Sequence, residues 1–141
     1  MAKHFLESLL GPDGATAMLV RDPPPGVVAR RIETAFDSAS RTRGLLGRAS
    51  LDPDTAMIIA PCSAVHTFKM QFAIDLIYVA RDGRVLKTRA AVPPGRMSMC
   101  IGAFAVIEMA AGSAEKAGLR IGDMLTLRQH RGGSLEDDLG A

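Results

Sequence analysis

Residues 61–79 read Pro61-Cys62-Ser63-Ala64-Val65-His66-Thr67-Phe68-Lys69-Met70-Gln71-Phe72-Ala73-Ile74-Asp75-Leu76-Ile77-Tyr78-Val79, and the fold turns on how this stretch is divided. Cys62, Ala64, His66, Phe68 and Met70 share one parity, and Ser63, Val65, Thr67 and Lys69 share the other. That period of two predicts a strand with the first set, His66 included, facing inward. Gln71 to Ile74 breaks the pattern and reads as a turn or crossover. Asp75 then opens a second strand through Ala80, rich in β-branched and aromatic residues. Asp82-Gly83 predicts a type I′ hairpin with Arg84 to Ala90 as the returning strand, because Asp-Gly tolerates two positive φ angles. A two-residue loop there pairs Ile77 with Thr88, Tyr78 with Lys87 and Val79 with Leu86. Asp75 falls on the face of Ile77 and Val79.

Working outward from this hairpin, the chain supplies further short strands. Lys3 to Leu10 reads as one amphipathic turn stopped by Gly11-Pro12-Asp13-Gly14. Ala15 to Arg21 is a first strand, the three prolines at 23–25 form a stiff link, and Val27 to Ala35 is a second strand. Asp37, Ser38 and Ser40 offer side-chain oxygens to cap a short helix from Ser40 to Leu46, ended by Gly47. Ala56 to Ala60 is an apolar buried strand stopped by Pro61. Beyond the hairpin, residues 92–96 make a rigid Pro-rich connection, and residues 103–109 and 124–128 are further strands. Between the last two, Ser113 can cap a helix over Ala114 to Ala117. The expected architecture is mainly β: a compact β-sandwich or jelly-roll-like barrel of about seven short strands with two small helices. Residues 1–130 are expected to form one domain, and the Gly-rich, charged residues 131–141 a flexible tail.

Composition narrows the function. The 141 residues can bury about two-thirds of their unfolded surface without a metal or disulfide staple. Seventeen Lys and Arg against fifteen Asp and Glu leave a net charge of +2, and the chain has no Trp and one Tyr. It therefore lacks the basic face and stacking aromatics that nucleic acid requires. Two cysteines, Cys62 and Cys100, are no disulfide framework and suit a reducing compartment, with a single bridge between them left open by the sequence. Residues 1–14 hold no apolar core of the secretory type, and no apolar run reaches the ~20 residues of a membrane span. The expectation is a cytoplasmic protein without nucleic-acid or membrane partners.

Three segments in order carry a resemblance. They are Arg41-Thr42-Arg43-Gly44-Leu45-Leu46-Gly47-Arg48; Val65-His66-Thr67-Phe68-Lys69-Met70 with Ile74-Asp75; and Ile107-Glu108-Met109-Ala110-Ala111-Gly112 followed by residues 118–123, Gly-Leu-Arg-Ile-Gly-Asp. Together they resemble the DUF192 family of small, mostly bacterial and archaeal proteins of uncharacterised function, over roughly residues 15–128. The resemblance implies a compact β-rich, jelly-roll-like domain and marks Arg41, Gly44, Met70, Asp75, Glu108, Gly112, Gly122 and Asp123 as family positions. Many members carry Trp or an aromatic pair before the methionine and Asn-Thr after it, where this chain has His66-Thr67-Phe68-Lys69 and Gln71-Phe72.

The candidate site follows from polar residues set into apolar strands. His66, with an ordinary pKa of about 6.5, is a candidate base or a core-edge imidazole bonded to a carbonyl. An inward Asp75 needs a partner to offset its desolvation, and Arg41, Arg43 and Arg96 are the candidates. Glu108 ends an apolar strand, where it is paired likewise or emerges into solvent. Arg41, Arg43 and Arg48 form a local basic cluster able to meet an anion, without a Gly-rich phosphate loop. Cys62 and His66, four apart on a strand, lie about 13 Å from each other and make no metal site. The reading is a small-ligand-binding domain. Its pocket comprises His66, Asp75, Glu108 and the arginines at 41, 43 and 96, with Met70 and Phe68 as an apolar wall; no cofactor or metal is implied. Two alternatives are a hydrolase or lyase with His66 as base oriented by Asp75, and a protein-interaction module.

Overall fold

Strand Thr55–Ile59 is buried at every position, as is Ile74–Val79, and Ala105–Ala110 is buried at all but its last residue. Runs of this kind belong in the middle of a sheet covered on both faces. The computed structural model, which describes residues 4–7 and 17–129, places them there. In chain order the strands are β1 Ala17–Arg21, β2 Gly26–Ala29, β3 Arg31–Ala35, β4 Thr55–Ile59, β5 Ala64–His66, β6 Ile74–Val79, β7 Val85–Val92, β8 Met97–Met99, β9 Ala105–Ala110 and β10 Leu125–Gln129; the helices are α1 Ser38–Arg43 and α2 Ser113–Lys116. The protein is mainly β. The central sheet runs β3-β4-β9-β6-β7, a second runs β10-β1-β2, and β5 pairs with β8 in a two-stranded ribbon. No sheet among these closes on itself, so layered sheets replace the barrel form of the expectation.

The central sheet has two buried faces, and alternation along its strands assigns them. Ile58, Ile77, Val79, Ile107 and Met109 point one way, into a core shared with Leu19, Val28, Ala29 and Leu125 of the second sheet. Met57, Ile59, Leu76, Tyr78 and Val106 point the other way and pack with Leu45, Leu51 and Met70. β3 lies parallel to β4, and a parallel pair requires a crossover. The crossover carries α1, which brings Leu45 onto this second face.

Several expectations change in detail. The stretch Val27 to Ala35 is two strands in different sheets, split where the amides of Arg30 and Arg31 both donate to the Asp54 carbonyl at 3.1 Å. The strand Met97–Met99 was not expected at all. In the hairpin, Ile77 pairs with Thr88 and Tyr78 with Lys87 as the sequence implied, but Val79 meets Val85 across a register shift. The loop is longer than two residues: Gly83 donates to the Ala80 carbonyl, Ala80 donates to Arg84, and Gly83 alone takes a positive φ of 92°. That is a type I turn finished by a left-handed glycine rather than type I′. α1 starts two residues before the expected Ser40 and stops at Gly44 rather than Gly47. Of the turn expected over residues 3–10 only 4–7 are described, with Leu6 buried; the expected tail, 131–141, lies outside the described residues. No helix among them is long and apolar enough to cross a membrane.

Candidate functional site

Asp37 begins the site by fixing α1. Its carboxylate accepts the Ser40 amide at 2.8 Å, the cap the sequence called for. The helix is then cut short at Gly44, whose φ of 48° and ψ of −124° only glycine adopts readily, and whose amide donates to the Ser40 carbonyl at 2.8 Å. Arg41 and Arg43 thus sit in the last turn. Arg41 donates through Nη1 to the Phe36 carbonyl at 2.8 Å. Neither Arg41 nor Arg43 is in an ion pair among the described residues, whereas Arg21, Arg30, Arg31 and Arg48 all are. Arg48 forks onto Glu33 at 2.7 and 2.8 Å and leaves the cluster expected with Arg41 and Arg43. The same fork holds the Glu33 carboxyl below its usual range.

β9 supplies the floor. Register places Glu108 between Met57 of β4 and Leu76 of β6, on the face that α1 covers. Its residue exposure is 5%, and no hydrogen bond or ion pair reaches its carboxyl among the described residues. Burial alone pushes that group up to about 7. Gly44 lies directly over it: a Cβ there would stand 3.7 Å from Glu108 Oε1. Between β4 and β5, Cys62 lies within electrostatic reach of both Glu108 and Arg41. Burial raises its thiol, which donates to the Ala64 carbonyl at 3.1 Å.

These groups surround an open depression of about 340 Å3. Of the expected site residues it brings together Arg41, Arg43, His66, Met70 and Glu108, and it adds Cys62, Gly44 and Val65, which the sequence reading left outside the pocket. Phe68, Asp75 and Arg96 do not line it.

The three absences and the position of His66 have local causes. β5 is only three residues long, and its inward anchor is Thr67, whose hydroxyl donates to the Pro93 carbonyl at 2.7 Å and accepts the Arg96 amide at 2.9 Å. Thr67 is therefore buried and His66 turns outward, reversing the expected parity. Exposed, His66 stacks on exposed Phe68 with ring centroids 5.2 Å apart, which draws Phe68 to the surface instead of into a pocket wall. Lys69 then takes a φ of 63° and Met70 folds back inward. Arg96 serves through its backbone. Cys62 lies outside β5 and borders the same depression as His66, so the strand spacing expected between them does not apply.

Asp75 is buried as expected, but its partners are not arginines. Oδ1 accepts the amide of Ala91 at 2.8 Å, and Oδ2 accepts the amide of Ala114 at 2.9 Å. The first bond steadies an irregular turn of β7, where Ala91 has a φ of 49°. The second caps α2, where Ser113 was expected to do so and does not. Asp75 pairs with Met109 while Leu76 pairs with Glu108, so the two carboxylates point to opposite faces of the sheet. The His66–Asp75 catalytic pair of the sequence reading is not assembled.

Fold and site together define a mainly β protein of layered sheets with a polar depression built against one face of its central sheet. The family model of DUF192, "Uncharacterized ACR", matches residues 22–127. The chain belongs to that family. Among solved structures it is similar to a protein of unknown function from Novosphingobium aromaticivorans, with TM-score 0.67 and 26% identity over 77% of this chain and 82% of that one. A proposed transcription regulator from Sinorhizobium meliloti has TM-score 0.65 and 21% identity over 77% of this chain and 92% of that one, a likeness of fold alone. A search among curated proteins finds no match.

Proposed function

We propose that this chain is a small-ligand-binding domain whose site is the depression between α1, the loop after β4, and β5. The observation that carries the reading is Glu108: a carboxyl buried in the middle of a sheet, without a partner among the described residues, at the floor of an open cavity. A buried polar group of this kind carries a desolvation cost that a bound donor offsets. The volume of about 340 Å3 is at the lower end of small-molecule sites. Binding fits better than cysteine chemistry, because burial raises the Cys62 thiol while a nucleophilic thiol needs the opposite shift.

The test is a thermal-shift screen of sugars, nucleotides, organic acids and amines, repeated with Glu108→Gln. A ligand at about 100 times its dissociation constant adds about 2.7 kcal/mol, a shift of several degrees. A hit retained undiminished by Glu108→Gln would move the site elsewhere.

A second reading, a protein-interaction module, is favoured by the β5–β8 ribbon. Met97, Met99 and Ile101 there are 73%, 59% and 90% exposed. Size-exclusion mass before and after incubation with lysate checks it, and an unchanged mass counts against it.

A further inference from the structure

The binding reading says that something enters the depression; the distribution of charge and apolar surface inside it narrows the chemistry. At the floor the polar group is the Glu108 carboxyl, an acceptor when ionised and able to donate only when protonated. Glu108 is flanked in the sheet by Met57 and Leu76, so its approach to a partner lies through the depression. The nearby Cys62 thiol spends its proton on the Ala64 carbonyl. On the α1 side Arg41 and Arg43 line the same cavity and are in no ion pair among the described residues, and the nearby Asp37 carboxylate, which Arg41 feels, caps the helix through Ser40 and does not line the cavity. Glu108 and Arg41 both act on Cys62, yet they form no ion pair with each other. The rest of the lining includes the apolar side chains of Leu46, Ile59, Val65 and Met70 beside the polar Thr42 and His66.

A simple anion suits the arginines but meets like charge at Glu108 once that carboxyl is ionised. A simple amine suits Glu108 but meets two guanidinium groups. A molecule with both functions satisfies both ends. Resting on the binding reading above, we propose that the ligand is a small two-function acid, an amino acid or a hydroxy acid. Its amino or hydroxyl group donates to Glu108, its carboxylate accepts from Arg41 and Arg43, and a short aliphatic body lies against Ile59, Val65 and Met70. Guanidinium forks match a carboxylate in geometry as well as in charge. Gly44 is part of the device, since the missing Cβ keeps the space above Glu108 Oε1 clear.

The experiment is calorimetric titration of the full chain at about pH 8, where Glu108 is mostly ionised, with glycine, γ-aminobutyrate and γ-hydroxybutyrate, set against the single-function controls butyrate and butylamine. The expected result is that a two-function probe binds at least about tenfold more tightly than either control. Glu108→Gln and Arg43→Gln should each weaken it by about tenfold or more. Arg43 is exposed at the helix end, so its substitution leaves the fold intact and keeps the test open if Glu108→Gln perturbs packing. If butyrate or butylamine binds as well as the two-function probes, and Glu108→Gln abolishes that binding, the two-function ligand is overturned while the binding site stands. If none of the five probes gives heat, the two-function ligand is overturned, and the wider thermal-shift screen decides the site separately.

Discussion

Asp75 and Glu108 are the two buried carboxylates of the described residues, and they sit in neighbouring registers of the same sheet, one on each face. Asp75 spends both oxygens on backbone amides, at 2.8 and 2.9 Å. Glu108 spends neither on any described residue and opens instead onto a depression. Sequence neighbours of the two are equally apolar, so hydrophobic context does not separate them. What separates them is what crosses each face: α2 and the irregular end of β7 bring amides to Asp75, while α1 ends early at Gly44 and brings to Glu108 only a gap. A carboxylate with its partners built in is part of the frame; one whose partner is missing is where a ligand can supply it.

The largest effect expected on breaking this contrast is at Asp75. Asp75→Ala strands the buried amide of Ala114, breaks the part-buried bond from Ala91 and releases the first turn of α2, costing about 3–5 kcal/mol. Chemical denaturation should show that loss with ligand-independent behaviour. A change under about 1 kcal/mol would mean that the two bonds are not what holds α2.

Glu108 should behave in the opposite sense. Its folded-state pKa is raised from 4.5 to about 7, so between those values the folded chain holds a proton that the unfolded chain has released. Stability from this group is therefore present below about pH 4.5, falls as pH rises, and is lost above about 7, by on the order of 3 kcal/mol. Glu108→Gln removes that dependence. Denaturation curves of the two proteins from pH 4 to 8 should diverge with the variant gaining relative stability as pH rises. The charged and titratable groups that line the depression with Glu108, namely Arg41 and Arg43 of α1, Cys62, and His66 of β5, are common to both proteins and enter the difference only through their coupling to Glu108. Parallel curves would contradict the assignment.

Gly44→Ala is the smaller test. Alanine is strained at that backbone conformation, by about 1–2 kcal/mol, and its methyl would stand 3.7 Å from Glu108 Oε1. Thermal melts should show the modest loss, and any ligand found for the depression should bind more weakly than stability alone explains.

Much of the frame was legible in the residues. The apolar runs of β4, β6 and β9 announce strands buried on both faces, and Asp37 announces its helix. β8 is not announced, because Met97-Ser98-Met99 is short and follows a Pro-Gly turn; nor is the break at Arg30, because the carbonyl that makes it belongs to Asp54. Of the site, the inward need of Asp75 could be read, but backbone amides carry no sequence label, so arginines were the natural expectation. His66 was placed inward by a period of two that a three-residue strand does not sustain. Glu108 was a family position whose environment depends on a crossover helix some 65 residues earlier in the chain, which no local pattern reports.

The central claim is that Glu108 is a buried, unpartnered carboxyl open to a cavity. It is tested most directly by following the side-chain carboxyl carbons of glutamate-labelled protein by NMR from pH 3 to 9, with Glu108→Gln assigning the signal. The account expects that carbon to titrate near pH 7 and to shift when a ligand is added. A midpoint near the ordinary glutamate value of 4.5 would contradict it.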